Sequence, residues 1–95
     1  MENQNFDWDD DKAEYNQRTH GVSFEESASV FEDFHSITIY DSDHSDDEDR
    51  YIDIGYASSG RLLIVVYTER DDLIRIISSR LADKNERRHY EYNRI

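Results

Sequence analysis

Ninety-five residues with a formal net charge of -12 and no cysteine describe one small compact domain of modest net stability, and they exclude disulfides and thiolate metal sites. A hydrophobic share of 36% is low, yet 13% aromatic residues and the run Leu62-Leu63-Ile64-Val65-Val66-Tyr67 exclude a wholly disordered chain and predict a thin core. No apolar stretch approaches the roughly 20 residues that span a bilayer, and Met1-Glu2-Asn3-Gln4-Asn5 lacks the basic and then apolar regions of a signal peptide, so the expected location is the cytoplasm.

Phe6-Asp7-Trp8-Asp9 alternates apolar with acidic residues, which predicts a short N-terminal edge strand with Phe6 and Trp8 facing the core. Asp11 as N-cap, Glu14 at the capping-box position and Gly21 as a stop place a first helix at about Lys12 to His20. Ser23 and Glu26 repeat the box, and Phe24, Ala28 and Phe31 then form the stripe of a second helix lying on a core. Ile37-Thr38-Ile39-Tyr40 reads as a strand. The stretch from Asp41 to Asp49, in which seven of nine residues are Asp, Glu or His, reads as a solvated acidic loop. A calcium-loop reading of it fails, because Asp46 stands where glycine is needed and Ile52 where glutamate is needed.

From Arg50 the period changes to two, with Arg50, Ile52, Ile54 and Tyr56 on one face and Tyr51, Asp53 and Gly55 on the other. After the turn Ser58-Ser59-Gly60, Leu62 to Glu69 reads as a central strand buried on both faces. Asp71-Asp72 makes the next turn. A last strand follows from Leu73 to Ser79, with Ile74, Ile76, Ser78 and Arg80 on one side and Arg75, Ile77 and Ser79 on the other. The tail at 81-93 has good helix formers but almost no apolar stripe, so its helix is mostly solvated or waits for a partner. The order predicts an α+β fold in a single domain spanning 1-95. Its antiparallel sheet has about four strands plus the short N-terminal edge strand, with two N-terminal helices on one face and a C-terminal helix.

Blocks along residues 6 to 92 carry a family resemblance. Phe6-Asp7-Trp8-Asp9, Lys12, Asn16, His20-Gly21-Val22-Ser23-Phe24, Ala28, Val30-Phe31 and Asp33 resemble the opening of the BrnT toxins of type II toxin-antitoxin pairs. Asp43, Glu48, Arg50, Gly55, Gly60-Arg61, Val65 to Arg70, Ile74 to Arg80, Ala82, Glu86-Arg87 and Tyr90 resemble its remaining blocks. The resemblance implies a RelE-like fold, a ribonuclease that slows translation, and neutralisation by a small DNA-binding cognate antitoxin. A fold alone does not transfer a function, so the alternative is a non-catalytic interaction module or inactive relative whose acidic surface binds a basic partner.

The charge layout bears on that choice. Residues 1-49 carry 16 acids against Lys12 and Arg18, whereas residues 50-95 carry eight arginines and one lysine against seven acids. Acidic regions repel phosphate, but beyond about 10 Å their field is largely screened at physiological salt, so a local arginine cluster still binds it. Metal-independent RNA cleavage by the neighbouring 2′-hydroxyl needs a base, an acid and fixed positive charge. Arginine's planar fork suits the last. If the last strand is regular, Arg75 and Arg80 point to opposite faces, and the expected phosphate pair is Arg70 with Arg80, aided by Arg50. Candidate acids and bases are His20, Glu48, Glu69 and Tyr90, of which His20 also suits a helix C-terminus, Glu48 an ion pair orienting Arg50, and Tyr90 base stacking or tail packing. No cofactor or metal is expected, and the expected partners are the antitoxin and an RNA substrate, with no membrane.

Overall fold

The computed structural model describes residues 5-93. Its strands are β1 (Asn5-Asp7), β2 (Ile37-Tyr40), β3 (Arg50-Tyr56), β4 (Leu62-Arg70) and β5 (Leu73-Leu81), and its helices are α1 (Asp10-His20), α2 (Phe24-Ala28) and α3 (Lys84-Tyr92). One five-stranded sheet has the order β1-β5-β4-β3-β2. Strands β2 to β5 form an antiparallel meander, and β1 lies parallel to β5. The expected class and layering are therefore met. Among the described residues no helix is long and apolar enough to cross a membrane.

Local chemistry sets the helix bounds. Asp9, two residues earlier than the expected Asp11, caps α1 by accepting from the Lys12 N–H. Asp10 and Asp11 then occupy the first turn, where the helix dipole favours acids. Gly21 ends the helix at φ 68°, a left-handed conformation that glycine adopts without strain. Ser23 caps α2 through the Glu26 N–H, but the Glu26 carboxylate turns to Arg61 instead of completing a box. The helix runs only to Ala28 and tightens into a 3-10 turn at Ser29-Glu32. A complete capping box, Asp83 with Glu86, starts α3.

The helices α1 and α2 cover one face of the sheet. There Val22, Phe24, Val30, Leu63, Val65, Tyr67, Ile74 and Ile76 form the main core, with Phe6, Trp8, Ala28 and Phe31 packed against it. On the other face α3 covers one end through Tyr90, which packs with Ile54, Leu62 and Ile64. It is the only buried residue of α3. The solvated tail helix expected from sequence thus reaches the core through a single aromatic.

One departure changes the arginine geometry. In the β4-β5 ladder Val66 pairs with Ser78 and Tyr67 with Ile76, so Ile77 is an extra residue in β5. A bulge of this kind resets the alternation of side chains. Ser79, not Ser78, joins Ile74 and Ile76 on the helical face, where Asn16 bonds its backbone on both sides and Ser27 meets its hydroxyl. Arg75 pairs with Thr68 and Arg80 with Ile64, and both therefore lie on the face that carries α3. The expectation that they point to opposite faces is corrected for this reason.

Candidate active site

The start of β3 and the end of β4 meet at one end of the sheet, because Arg50 pairs with Thr68. Hydrogen bonds tie the preceding acidic loop to this end. The Asp41 N–H donates to the Arg50 carbonyl, and the Arg50 N–H to the Ser45 hydroxyl, both at 2.9 Å. The Tyr40 hydroxyl donates to Asp49 at 3.0 Å. A run that is solvated by composition is in this way closed onto the sheet, with a short 3-10 turn at Ser42-His44.

The loop brings Glu48 to Arg70. Arg70 donates from Nε and Nη2 to the two carboxylate oxygens at 3.0 and 3.1 Å. This paired bond is the main reason why the Glu48 carboxyl lies below its ordinary range, with the charges of Arg70, Arg50 and Arg75 adding to it. The same bond raises Arg70. One ionised carboxylate is thus bonded to Arg70 and lies in the field of Arg50 and Arg75. Arg75 is itself paired with Asp7 of β1. Beside Glu48 and Arg50 lies a cavity of about 270 Å³, also lined by Asp43, His44, Asp46 and Asp47. The Nδ1 of His44 bonds the Asp41 carboxylate at 3.1 Å, and its Nε2 has no hydrogen-bond partner among the described residues.

The other expected residues lie elsewhere. Arg80 is opposite Ile64, whereas Arg70 ends β4 opposite Leu73. Neighbouring strands of a hairpin finish at opposite ends, and six residues of β4 separate the two positions by about 20 Å at roughly 3.3 Å per residue. The expected pairing of Arg70 with Arg80 at one phosphate is corrected on that geometry. Arg80 instead donates twice, at 2.8 Å, to Glu86 in the first turn of α3.

Tyr90 is 1% exposed and donates to Asp33 at 2.6 Å, with its ring edge-on to Tyr56. Asp33 also accepts the backbone N–H groups of Tyr56 and His35. Burial pushes its carboxyl up, but these bonds outweigh that and leave it lowered. His20 is exposed at the end of α1. The adjacent Gly21 carbonyl accepts from Arg61, which precedes β4, so this corner belongs to the end of the sheet away from Arg70.

Of the expected catalytic residues, Arg50, Arg70 and Glu48 are brought together, and Arg80, Tyr90 and His20 are not among them. Glu69 is exposed opposite Ile74. Sequence reasoning missed two residues of this end. Arg75 was set aside by a parity that the bulge reverses, and His44 was hidden among acids that gave it no distinguishing spacing.

A family model described as the ribonuclease toxin BrnT of type II toxin-antitoxin systems matches residues 8-86. The chain belongs to the BrnT family. A solved structure, the crystal structure of the Brucella abortus ribonuclease toxin BrnT, superposes with a TM-score of 0.68, covering 86% of this chain and 100% of that one. At 21% identity this is a likeness of fold. No curated protein matches the sequence as a whole. Membership of the BrnT family implies a cognate antitoxin as partner.

Proposed function

We propose that this chain is the toxin of a type II pair, a metal-independent ribonuclease acting in the cytoplasm that slows translation and is neutralised by a small DNA-binding antitoxin. The observation that carries the reading is that Arg50, Arg70 and Arg75 come together at one end of the sheet, where Glu48 is bonded to Arg70. Guanidinium groups supply fixed positive charge where negative charge develops on a phosphate, and they cost no reorganisation at the moment of reaction. The 2′-oxygen bonds to phosphorus as the bond from phosphorus to the 5′-oxygen breaks, giving a 2′,3′-cyclic phosphate and a 5′-hydroxyl. Once RNA draws Arg70 to its phosphate, Glu48 is released to accept the 2′-proton. His44, oriented by Asp41, donates a proton to the 5′-oxygen.

The acids around the cavity and the pairing of Arg70 with Glu48 favour a second reading, an interaction module with no turnover. Incubation of purified, antitoxin-free protein with RNA in excess EDTA separates the two. Fragments ending in cyclic phosphate, lost in Arg50→Ala and Arg70→Ala, support the ribonuclease. Intact RNA in the presence of folded protein overturns it.

A further inference from the structure

The Oγ1 of Thr68 is the one buried side-chain polar atom among the described residues with no hydrogen-bond partner. The other buried polar side chains are matched: Asn16, Ser27 and Ser79 bond one another and the backbone, and Asp53 accepts from Thr38 and Tyr67. A buried hydroxyl left unpaired costs free energy, and valine would fill the same space in a strand without that cost. Its position suggests what the hydroxyl is kept for. Arg50, Thr68 and Arg75 form one row across β3, β4 and β5, so the hydroxyl lies between two guanidinium-bearing residues. Neighbouring strands are about 4.8 Å apart, which makes the row roughly 10 Å wide. Only an anion with several oxygens accepts from both flanks and from the centre, and a phosphodiester has that chemistry.

Resting on the ribonuclease reading, we propose that Thr68 is a phosphate-binding residue whose hydroxyl donates to a non-bridging oxygen of the bound RNA. In the free protein Asp7 holds Arg75 and the hydroxyl is shielded. Phosphate takes Arg75 from Asp7 and uncovers Thr68.

The test compares Thr68→Val and Thr68→Ser with the unaltered chain, using a 2′-O-methyl RNA oligonucleotide that cannot be cleaved and a urea unfolding curve. Thr68→Val keeps the branched shape, so it unfolds at an equal or higher urea concentration yet binds about tenfold more weakly, a typical loss for one hydrogen bond to a charged group. Its salt dependence is unchanged because no charge is lost, whereas Arg75→Ala lowers the slope by about one. Thr68→Ser restores binding. Equal binding by Thr68→Val, with binding lost in Arg50→Ala and Arg70→Ala, overturns the role of Thr68 and leaves the ribonuclease site standing. Equal binding by all three variants overturns both. Earlier unfolding of Thr68→Val would show the hydroxyl to be structural and overturn the proposal as well.

Discussion

Replacing Tyr90 tests whether a single side chain holds α3 to the sheet. Its ring is buried against Ile54, Leu62 and Ile64 and edge-on to Tyr56 at 5.3 Å, and no other residue of α3 is buried. Truncating a buried aromatic to alanine costs about 3–5 kcal/mol, a large part of the roughly 5–15 kcal/mol that a domain of this size possesses. Tyr90→Phe removes the bond to Asp33, which is half-buried, and should cost about 1.5 kcal/mol. Urea unfolding followed by circular dichroism gives both values. Hydrogen exchange should show protection at 84-92 lost in Tyr90→Ala and kept in Tyr90→Phe. A Tyr90→Ala protein within about 1 kcal/mol of the parent, with α3 still protected, would refute the anchoring argument, since buried aromatics do not come so cheaply. The same variants address chemistry. A proton donor is worth about 10²–10⁴ in rate, whereas an anchor leaves Tyr90→Phe active wherever it is folded.

Three further outcomes follow from the packing. Burial raises the Asp53 carboxyl, against the bonds it accepts from Thr38 and Tyr67; a folded value above the unfolded 3.8 makes its charged form a penalty at higher pH. Asp53→Asn is therefore expected to raise the melting temperature at pH 7, with the gain shrinking towards pH 4, as differential scanning calorimetry would show. Glu26 behaves in the opposite sense, because the bond from Arg61 holds its carboxyl below the ordinary 4.5. Its stabilisation is full above that value and disappears as pH falls through the lower folded one, so Glu26→Gln should flatten the acid limb of a stability–pH curve. A Cβ on Gly55 would stand 2.9 Å from Val30 Cγ1 and 3.0 Å from Ser36 Cβ, so Gly55→Ala is expected to cost about 1–3 kcal/mol in urea titration.

Much of the fold was legible because the signals were periodic and local. The apolar run at 62-67, the two-residue period from Arg50 and the Ser23 cap each correspond to an observed element. Two features were not legible for physical reasons. Nothing in Ile76-Ile77-Ser78 marks the extra residue, and a shift of one residue moved Ser78, Ser79 and Arg80 to faces opposite to those expected. The end at which each arginine emerges depends on strand direction across the sheet, so Arg70 and Arg80 looked adjacent in sequence logic and are far apart in space. Tyr90 carried a signal of packing and a signal of chemistry alike, and only its neighbours Asp33 and Tyr56 decide between them. The acidic loop looked free because composition does not reveal the backbone bonds at Asp41, Ser45 and Arg50.

The most direct measurement is the rate of RNA cleavage by Arg70→Ala and Arg80→Ala, each assayed where urea curves show it to be fully folded. With the reactive phosphate at the β3-β4 end, loss of Arg70 should lower the rate by about 10²–10³, while Arg80→Ala cleaves nearly as fast as the unaltered chain. A reversed pattern, or equal loss in both, would contradict the placement of the site.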